Sequence, residues 1–571
     1  MDKRTKQAII GTGIALAAVI IIIAAVIIKK LTPSDKVMQL TDYYQVNDGE
    51  ALIIMQDKAY EERAVLKKGT LYLDYETVVG NFNKRFYWDA NENVLSYTTP
   101  TEVIKAELDS NVYYVNKSKE QADHDIVIMN GGKVYIAIDY VKQYSDMRYQ
   151  YYEAPDRVVI QYSWGDYLFT RVKKETQLRY GPSIKSDILV ELEPEEILTF
   201  VDTNEAVDGD FSKVMTEDGV IGYVRNKTVE ESYYEPVKSE YKTPEYTHIA
   251  KDEAINLVWH QVTNMDANGN LIELLEETKG VTVVSPTWFM IKDNEGAIRS
   301  LADERYIERA HSRDIEVWAL ISDFVEDFNQ GVNINEILSY TSKREKLINE
   351  LISEVIKYNI DGINIDFEQI SRDSATHYIQ FIRELSVKCR NNGIVLSIDN
   401  YVPTDYSAYY DREEQGVVAD YVIIMAYDEH TNGSDESGSV SSIGFVTDAV
   451  EKTLTMVPKE RIIIGIPFYT RLWKEVTANG SKEISSEAYS MTNAAGLMAD
   501  NSVELKWDEA VGQYYGQYAV DDITYRMWLE EEKSIEAKMK IISRADVAGV
   551  AAWKLGLEKS AVWDVIAKYI K

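Results

Sequence analysis

Residues 361–370, DGINIDFEQI, carry acidic and amide side chains at alternate positions of an otherwise apolar run. Because side chains alternate across a β-strand, Asn364, Asp366 and Glu368 share one face, and the apolar residues between them share the other. Crowding two carboxyl groups raises the pKa of one of them, which then stays protonated. This strand therefore has the chemistry of a general acid with a second carboxyl group beside it.

The segments around this strand predict how it is positioned. From about Tyr246 to the C-terminus, apolar runs rich in β-branched residues alternate with helical patterns, which predicts an α/β fold, a (β/α)8 TIM barrel over residues 246–571. The eight runs are AINLVWHQV, GVTVVSPTWF, IEVWALISDF, IDGINIDFE, GIVLSIDNYVP, DYVIIMAYDEH, RIIIGIPFY and AGVAAWKLG. A stretch from Leu472 to Ser543, between the seventh and eighth runs, predicts an insertion. In such a barrel the polar face points inward and Glu368 lies at the C-terminal end, where active sites lie.

The residues alone leave three interpretations of the polar face. Its side chains could pair only with one another, although buried carboxylates are costly and barrel interiors favour Val, Ile and Leu. They could bind Mg²⁺ or Ca²⁺, which prefer such oxygen ligands. They could hydrolyse a glycosidic bond with a protonated carboxyl as acid. No other strand end supplies a further carboxylate pair or histidine cluster, so we expect no metal and no cofactor.

Several motifs resemble one known family. DGINIDFE is similar to the signature of glycoside hydrolase family 18, Asp-Gly-x-Asp-x-Asp-x-Glu. IIMAYDEH resembles the family's sixth strand, IIIGIPFY its seventh and GVAAWKLG its eighth. KWDEAVGQYYGQY and RMWLEEEKSIEAKMKII resemble the branch of spore-cortex and cell-wall glucosaminidases from Gram-positive spore formers.

The resemblance implies substrate-assisted, retaining hydrolysis of β-1,4-linked N-acetylglucosamine, an exception to the scheme with a carboxylate nucleophile. Glu368 is then the acid that protonates the leaving oxygen and later activates water. Asp366 is expected to orient the acetamido group of the sugar, which itself attacks the anomeric carbon. Tyr427 is expected to hydrogen-bond the same group.

Four further positions are expected to bind the sugar by the same resemblance: Asn364, Met425, Asp428 and Trp553. Trp553 would form an apolar floor beneath the ring. Asn364 departs from the family pattern, which has Asp there. An amide can donate a hydrogen bond to Asp366 but cannot take up negative charge, so we expect activity with an altered pH profile. Asp361 lies on the opposite face and is expected to be structural.

The N-terminus predicts a membrane anchor. Residues 9–28 carry no charge, and about 20 apolar residues are enough to cross the hydrocarbon core. A signal peptide has a shorter apolar region and a small-residue cleavage site, which this run lacks. Basic residues in the tail, residues 1–8, favour a cytoplasmic N-terminus. We therefore expect a single-pass protein of the cell membrane with the bulk of the chain extracellular.

Residues 36–165 contain a weak internal repeat. LYLDYETVVGNFNKRFYWDANENVLSY matches VYIAIDYVKQYSDMRYQYYEAPDRVVIQY, and each copy predicts strand, short helix, strand, tight turn and strand. This α+β region resembles the stalk-like repeats called copper amine oxidase N-terminal domain. It has no clustered His or Cys, so we expect a spacer without metal.

Residues 168–232 predict short strands separated by turns. Their opening, TQLRYGPSIKSDILVEL, and their end, GVIGYVRNKTV, resemble a bacterial SH3-like β-barrel, which implies either cell-wall peptide as a partner or a spacer. The polar segment 233–245 contains two prolines and predicts a linker.

The net charge of −33 argues against nucleic acid as a partner, because so acidic a chain repels phosphate. Taken together, the sequence predicts a membrane-anchored extracellular glycosidase with a glycan substrate, peptidoglycan before chitin. Two alternatives stay open: a chitinase or endo-N-acetylglucosaminidase on other glycans, and a lectin that keeps the groove. Retention of Glu368 favours an enzyme over a lectin.

Overall fold

The structure is a computed structural model that describes residues 2–201, 207–324, 330–478 and 481–570. These residues form two compact units. The first comprises Met1–Phe86, Ala106–Val112 and Gln121–Thr243, and the second comprises Tyr87–Lys105, Tyr113–Glu120 and Pro244–Lys571. The predicted repeat domain, residues 36–165, is therefore divided between the two units.

Fourteen α-helices occur among the described residues. They are α1 (Lys3–Leu31), α2 (Leu40–Tyr44), α3 (Tyr75–Asn81), α4 (Ile138–Tyr144), α5 (Leu271–Glu276), α6 (Glu304–His311), α7 (Ile334–Ser339), α8 (Thr341–Tyr358), α9 (Ala375–Asn392), α10 (Arg412–Val418), α11 (Ile443–Leu454), α12 (Met491–Asp500), α13 (Glu532–Ala545) and α14 (Ala561–Ala567). In the described part of the chain, α1 alone is long and apolar enough to cross a membrane, and none of it is buried. A signal sequence near the N-terminus can also form a helix long and apolar enough to meet this description, so the anchor over residues 9–28 stays a prediction.

The strands before the barrel are β1 (Glu50–Met55), β2 (Lys58–Lys67), β3 (Thr70–Asp74), β4 (Tyr87–Asp89), β5 (Val94–Thr98), β6 (Val103–Glu107), β7 (Val112–Val115), β8 (Ser118–Gln121), β9 (Val127–Asn130), β10 (Lys133–Ala137), β11 (Arg148–Tyr152), β12 (Arg157–Gln161), β13 (Gly165–Arg171), β14 (Thr176–Arg179), β15 (Ile188–Leu192), β16 (Ile197–Phe200), β17 (Val207–Asp208), β18 (Phe211–Met215), β19 (Ile221–Arg225) and β20 (Tyr233–Val237). Both copies of the repeat have the predicted order of elements: β3, α3, β4 and β5 in the first copy, and β10, α4, β11 and β12 in the second. The first unit contains a seven-stranded sheet in the order β11-β12-β1-β2-β3-β10-β9.

A second, antiparallel sheet of the first unit has the order β15-β14-β19-β18-β16-β13-β20. It extends beyond the predicted limits of 168–232, because β20 pairs with β13 from Gly165 onward. The first five residues of the predicted linker are thus a strand rather than a free connection. The SH3-like assignment of this sheet stays a prediction.

The remaining strands belong to the second unit and are β21 (Ile255–His260), β22 (Val283–Ile291), β23 (Ile298–Ser300), β24 (Glu316–Ser322), β25 (Gly362–Asp366), β26 (Val395–Tyr401), β27 (Tyr421–Met425), β28 (Ile462–Pro467), β29 (Tyr469–Ala478), β30 (Ser481–Ser490), β31 (Lys506–Asp508), β32 (Gln513–Val520), β33 (Ile523–Leu529) and β34 (Gly549–Trp553). Eight of them are parallel neighbours in the order β21-β34-β28-β27-β26-β25-β24-β22, and β21 also pairs with β22. The barrel is therefore closed, and each predicted strand run supplies one of its strands.

Two apolar clusters stabilise the barrel, because its strands bury both faces. Trp318 and Ile423 belong to a cluster in the interior. Ile363, Ile365 and Phe367 belong to the cluster that joins the outer faces of the strands to the helices. The predicted insertion is confirmed: β29 to β33 form a separate five-stranded sheet with α12 before the barrel resumes at α13.

Part of the first repeat copy packs on helix α8 of the barrel. One carboxylate oxygen of Asp89, which is fully buried, accepts hydrogen bonds from the backbone N–H and the hydroxyl of Thr341, both at 2.6 Å. The guanidinium of Arg344 lies 4.8 Å from the ring centre of Tyr87 and pairs with Glu384 at 3.0 Å. Asp89 thus satisfies a backbone donor at the start of α8 that has no partner within the helix.

We predict that Asp89→Ala weakens the start of α8. Losing this cap costs about 1–2 kcal/mol, so the amides of the first turn should exchange hydrogen roughly 5- to 30-fold faster. Hydrogen–deuterium exchange with mass spectrometry on the full chain measures this, with Ser118→Ala in the exposed strand β8 as the control. Unchanged exchange at the start of α8 would refute this capping role.

Candidate active site

A pocket of about 190 Å³ lies where the barrel strands end at their carboxyl termini. Its lining residues come from six barrel strands or the turns that follow them: Trp259, Phe324, Asp366, Glu368, Asp399, Tyr401, Met425, Tyr427, Asp428 and Trp553. Residues predicted from three separate motifs, on the fourth, sixth and eighth barrel strands, therefore line one pocket. Asn364 is the predicted site residue that does not line it.

Short backbone contacts fix the position of Glu368 just beyond the end of β25. The Asp323 carboxylate accepts hydrogen bonds from the backbone N–H of Glu368, at 2.9 Å, and of the next residue, at 2.8 Å. Tyr410 donates its hydroxyl to the carbonyl of Phe367 at 3.1 Å, and Tyr401 donates to the carbonyl of Glu368 at 3.4 Å. Glu368 is thus held on a segment anchored by three neighbouring side chains.

The Glu368 carboxyl is set up to keep its proton. Burial raises its pKa, the charge of Asp428 raises it further, and a hydrogen bond with Tyr401 opposes both effects. A raised pKa keeps a carboxylic acid protonated at a pH where free glutamate has ionised. Glu368 therefore has the electrostatic environment of a general acid.

Asp366 lies deeper, with 8% of its surface exposed, and one of its carboxyl oxygens is buried without a hydrogen-bond partner. Burial raises its pKa well above the usual value, and the charges of Asp399, Glu368 and Asp323 raise it further, in that order. Burial also raises the pKa of Asp323 to about 6. The pocket floor is thus a cluster of carboxyl groups that cannot all be ionised together.

Asn364 lies beneath this cluster and is fully buried. Its amide oxygen accepts from the indole N–H of Trp259 at 2.9 Å, and its amide nitrogen donates to Asp399 at 2.8 Å and to Ser397 at 3.1 Å. Both amide hydrogens are used, so the expected hydrogen bond to Asp366 is wrong. The amide is not among the residues that line the pocket, and the expected contact of Asn364 with the sugar stays a prediction.

Aromatic rings line the other side of the pocket. The centre of the Trp259 ring lies 6.0 Å from that of Trp553 and 6.3 Å from that of Tyr427. Tyr469 donates a hydrogen bond to the carboxylate of Asp428 at 2.6 Å. A side chain at Gly465 would place its Cβ 3.2 Å from the ring of Tyr427, so that glycine makes room for the tyrosine. The rings offer the apolar faces on which sugar rings commonly pack.

The two residues at the start of β25, Asp361 and Gly362, contribute to the packing of the barrel. The Asp361 carboxylate accepts from the backbone N–H of Val317 and pairs with His311, both at 2.8 Å. A Cβ built on Gly362 would lie 2.7 Å from the indole ring of Trp318 inside the barrel. Asp361 therefore joins neighbouring elements, and Gly362 leaves space for the interior tryptophan.

Sequence reasoning missed Trp259, Asp323, Asp399 and Tyr401. Each stands at or just after the C-terminal half of a predicted barrel strand, within VWH, SDF or IDNY, and that placement was the available signal. Within the described ranges, no group of three or more His, Cys, Asp or Glu side chains is arranged to hold a metal ion.

Comparison with known proteins identifies the family. The family model "Glycosyl hydrolases family 18" matches residues 220–558, and "Copper amine oxidase N-terminal domain" matches residues 53–160. The uncharacterized glycosylase YvbX of Bacillus subtilis is 26% identical over 49% of this chain and 82% of its own length. The cortical fragment-lytic enzyme of Bacillus subtilis is 26% identical over 40% of this chain and 54% of its own length, so this chain spans about half of that relative.

A solved structure agrees on the fold. The crystal structure of the Bacillus cereus spore cortex-lytic enzyme SleL matches with a TM-score of 0.50 and 20% identity, over 59% of this chain and 78% of that chain. The family model covers more than half of the present chain and includes the four motifs and every residue of the pocket. The chain therefore belongs to glycosyl hydrolase family 18 and is a glycoside hydrolase.

Proposed function

We propose that this glycosidase hydrolyses β-1,4-linked N-acetylglucosamine glycans, peptidoglycan in particular, by substrate-assisted retaining catalysis. The observation that carries the proposal is that Glu368 and Asp366 line one aromatic-lined pocket, where burial raises the pKa of both carboxyl groups. Since both carboxyl groups resist ionisation, one can donate a proton while the other acts on the substrate.

In the first step Glu368 gives its proton to the glycosidic oxygen, which departs with the bonding electron pair. The acetamido oxygen of the same sugar forms a bond to the anomeric carbon from the opposite face and produces an oxazolinium ion. Asp366 orients the acetamido group and, as an anion, stabilises the positive charge that develops on it. Tyr427 also lines the pocket and donates a hydrogen bond to the acetamido group.

In the second step the Glu368 carboxylate takes a proton from water as the water attacks the anomeric carbon. The bond to the acetamido oxygen breaks, its electron pair returns to the amide, and Glu368 is again a carboxylic acid. Two inversions at one carbon give retention of configuration. Met425, Asp428 and Trp553 line the pocket and hold the sugar during both steps, with Trp553 beneath the ring.

Peptidoglycan is favoured over chitin by three observations. One relative is named for lysis of cortical fragments. Helix α1 suits a membrane anchor that would keep the enzyme at the cell surface, outside the membrane. The antiparallel sheet of residues 165–237 suits an SH3-like domain that holds cell-wall peptide.

The substrate is tested by incubating the purified full chain with peptidoglycan and with chitin oligomers in parallel. We expect mass spectrometry to detect peptidoglycan fragments that end in a new reducing N-acetylglucosamine. Fragments released from chitin but not from peptidoglycan would show that chitin is the substrate instead. Release from neither substrate, with the fold intact by circular dichroism, would contradict it.

Glu368→Gln should lower kcat by about 10²- to 10⁴-fold or more, because glutamine cannot donate the proton. Affinity for an N-acetylglucosamine oligomer should change little, since the amide keeps the size of the side chain. Turnover is measured from new reducing ends and affinity by titration calorimetry. Glu413→Gln on the exposed surface of α10 is the matched control, and wild-type turnover in Glu368→Gln would rule out this acid.

Asp366→Asn should lower kcat by about 10²- to 10³-fold, because the amide cannot supply negative charge to the oxazolinium. The dissociation constant for the same oligomer should change far less, since the contact strengthens only in the transition state. The same two assays measure both quantities. If rate and affinity fell by the same factor, Asp366 would instead contribute to binding of the substrate in its ground state.

A further inference from the structure

We propose that Asp399, on the fifth barrel strand, is a positioning residue that shares one proton and one negative charge with Asp366. In the free enzyme the charge lies on Asp399 and the proton on Asp366. When the oxazolinium forms, the proton moves to Asp399 and leaves the charge on Asp366, where it is needed. This inference rests on the proposed glycan hydrolysis and names a residue outside the motifs that identified the family.

Strand register places the two carboxyl groups side by side. Neighbouring strands β25 and β26 are parallel, with Asn364 opposite Ser397 and Ile365 opposite Ile398. The next step of the same register sets Asp366 opposite Asp399, and adjacent strands lie about 5 Å apart. Both side chains line the pocket floor, and 3% of Asp399 is exposed. A proton can therefore pass between them without crossing the pocket.

Hydrogen bonding decides which carboxyl group holds the charge. The indole of Trp259 can only donate, so its bond to the Asn364 oxygen fixes the orientation of that amide. The amide nitrogen must then point to Asp399, to which it donates at 2.8 Å. A hydrogen bond to the charged form favours that form. Asp366 has a buried oxygen without such a donor, so the proton belongs on Asp366.

Among the described residues that line the pocket, none is a cation that could stabilise a second negative charge. The charges of Glu368 and Asp323 act on this pair, and the pair in turn raises the pKa of the tyrosines packed around it, Tyr378, Tyr401 and Tyr427. In the part of the chain that the structure describes, no Lys, Arg or His lines the pocket. Two adjacent carboxylates here would repel each other in a site with little water, so the pair keeps one proton.

The same arrangement explains how the enzyme works with an amide at position 364. Asn364 cannot accept a proton, but it holds Asp399 in place and stabilises its charge. Asp399, on the neighbouring strand β26, is therefore the group that accepts the proton from Asp366. Net charge stays at one negative unit throughout, because only one proton moves within the pair.

The test compares Asp399→Asn, the exchange variant Asn364→Asp/Asp399→Asn and the control Ser285→Ala. Ser285 is fully buried and donates to the Asn364 oxygen at 3.1 Å, so its loss disturbs the same network without removing a carboxyl group. The first readout needs no substrate: infrared titration of the protonated-carboxyl band in the full chain. The second is the pH profile of kcat/KM for hydrolysis of an N-acetylglucosamine oligomer.

Removing the negative charge of Asp399 lowers the pKa of Asp366, because a like charge nearby disfavours ionisation. In Asp399→Asn we expect the infrared midpoint and the alkaline limb of kcat/KM to move to lower pH by about one unit. We expect kcat to fall by roughly 10- to 100-fold. The exchange variant restores a charge beside Asp366 and should return both pH values and most of the rate. Ser285→Ala should leave both pH values unchanged.

An infrared midpoint that is the same in Asp399→Asn as in the parent would overturn the inference. So would a shift of the same size in Ser285→Ala, or an exchange variant that behaves like Asp399→Asn. Failure of the proposed function has a different signature: the infrared midpoints move as expected, but neither peptidoglycan nor oligomer is cleaved by the parent chain.

Discussion

Repulsion among carboxyl groups at the mouth of the barrel is the constraint on which the rest of the site depends. Burial raises the pKa of Asp323, Asp366, Glu368 and Asp399, and the charge of Glu368 raises the pKa of the other three further. Such groups cannot all lose their protons in a site that excludes much of its water. The retained protons are the reactive ones, because a neutral carboxyl group can act as an acid.

The fold makes this repulsion tolerable. Each acid stands on the end of a barrel strand or just after it, where backbone donors and neighbouring hydroxyls are available. Asp323 accepts two backbone N–H groups from the segment that carries Glu368, so its charge stabilises the position of the catalytic acid. Asn364 does the same for Asp399. The apolar residues on the outer face of β25, packed against the helices, keep the polar face turned inward.

Much of this arrangement could be predicted from the sequence. The alternation of polar and apolar residues in DGINIDFE predicts which side chains face the barrel interior, and runs rich in β-branched residues predict all eight barrel strands. Both patterns are readable because they depend only on neighbouring residues. The motif residues at the ends of the fourth, sixth and eighth strands were also readable. Asp399 and Trp259 were not, since neither lies in a motif of the family and the contact of each with Asn364 depends on which strands meet. Pairing of β26 with β25 brings Asp399 to Asn364, and closure of the barrel brings Trp259 there.

The predicted domain boundaries differ from those of the structure in two places, and in both the cause is again a contact between residues far apart in the sequence. Segments 87–105 and 113–120 belong to the unit of the barrel, although the repeat pattern placed them with the N-terminal region. Asp89 and Tyr87 of these segments contact α8. In the sequence, neither residue differs from an ordinary turn or strand residue, so the contact could not be predicted. Residues 233–237 read as a linker because they are polar and contain a proline, but pairing with β13 makes them an edge strand.

Neutron diffraction on crystals of the substrate-free enzyme at about pH 6 can locate the exchanged protons of the buried carboxyl groups. We expect deuterium on a carboxyl oxygen of Asp366 and of Glu368, and none on Asp399. Deuterium on Asp399 with a bare Asp366, or three ionised carboxyl groups side by side, would contradict it.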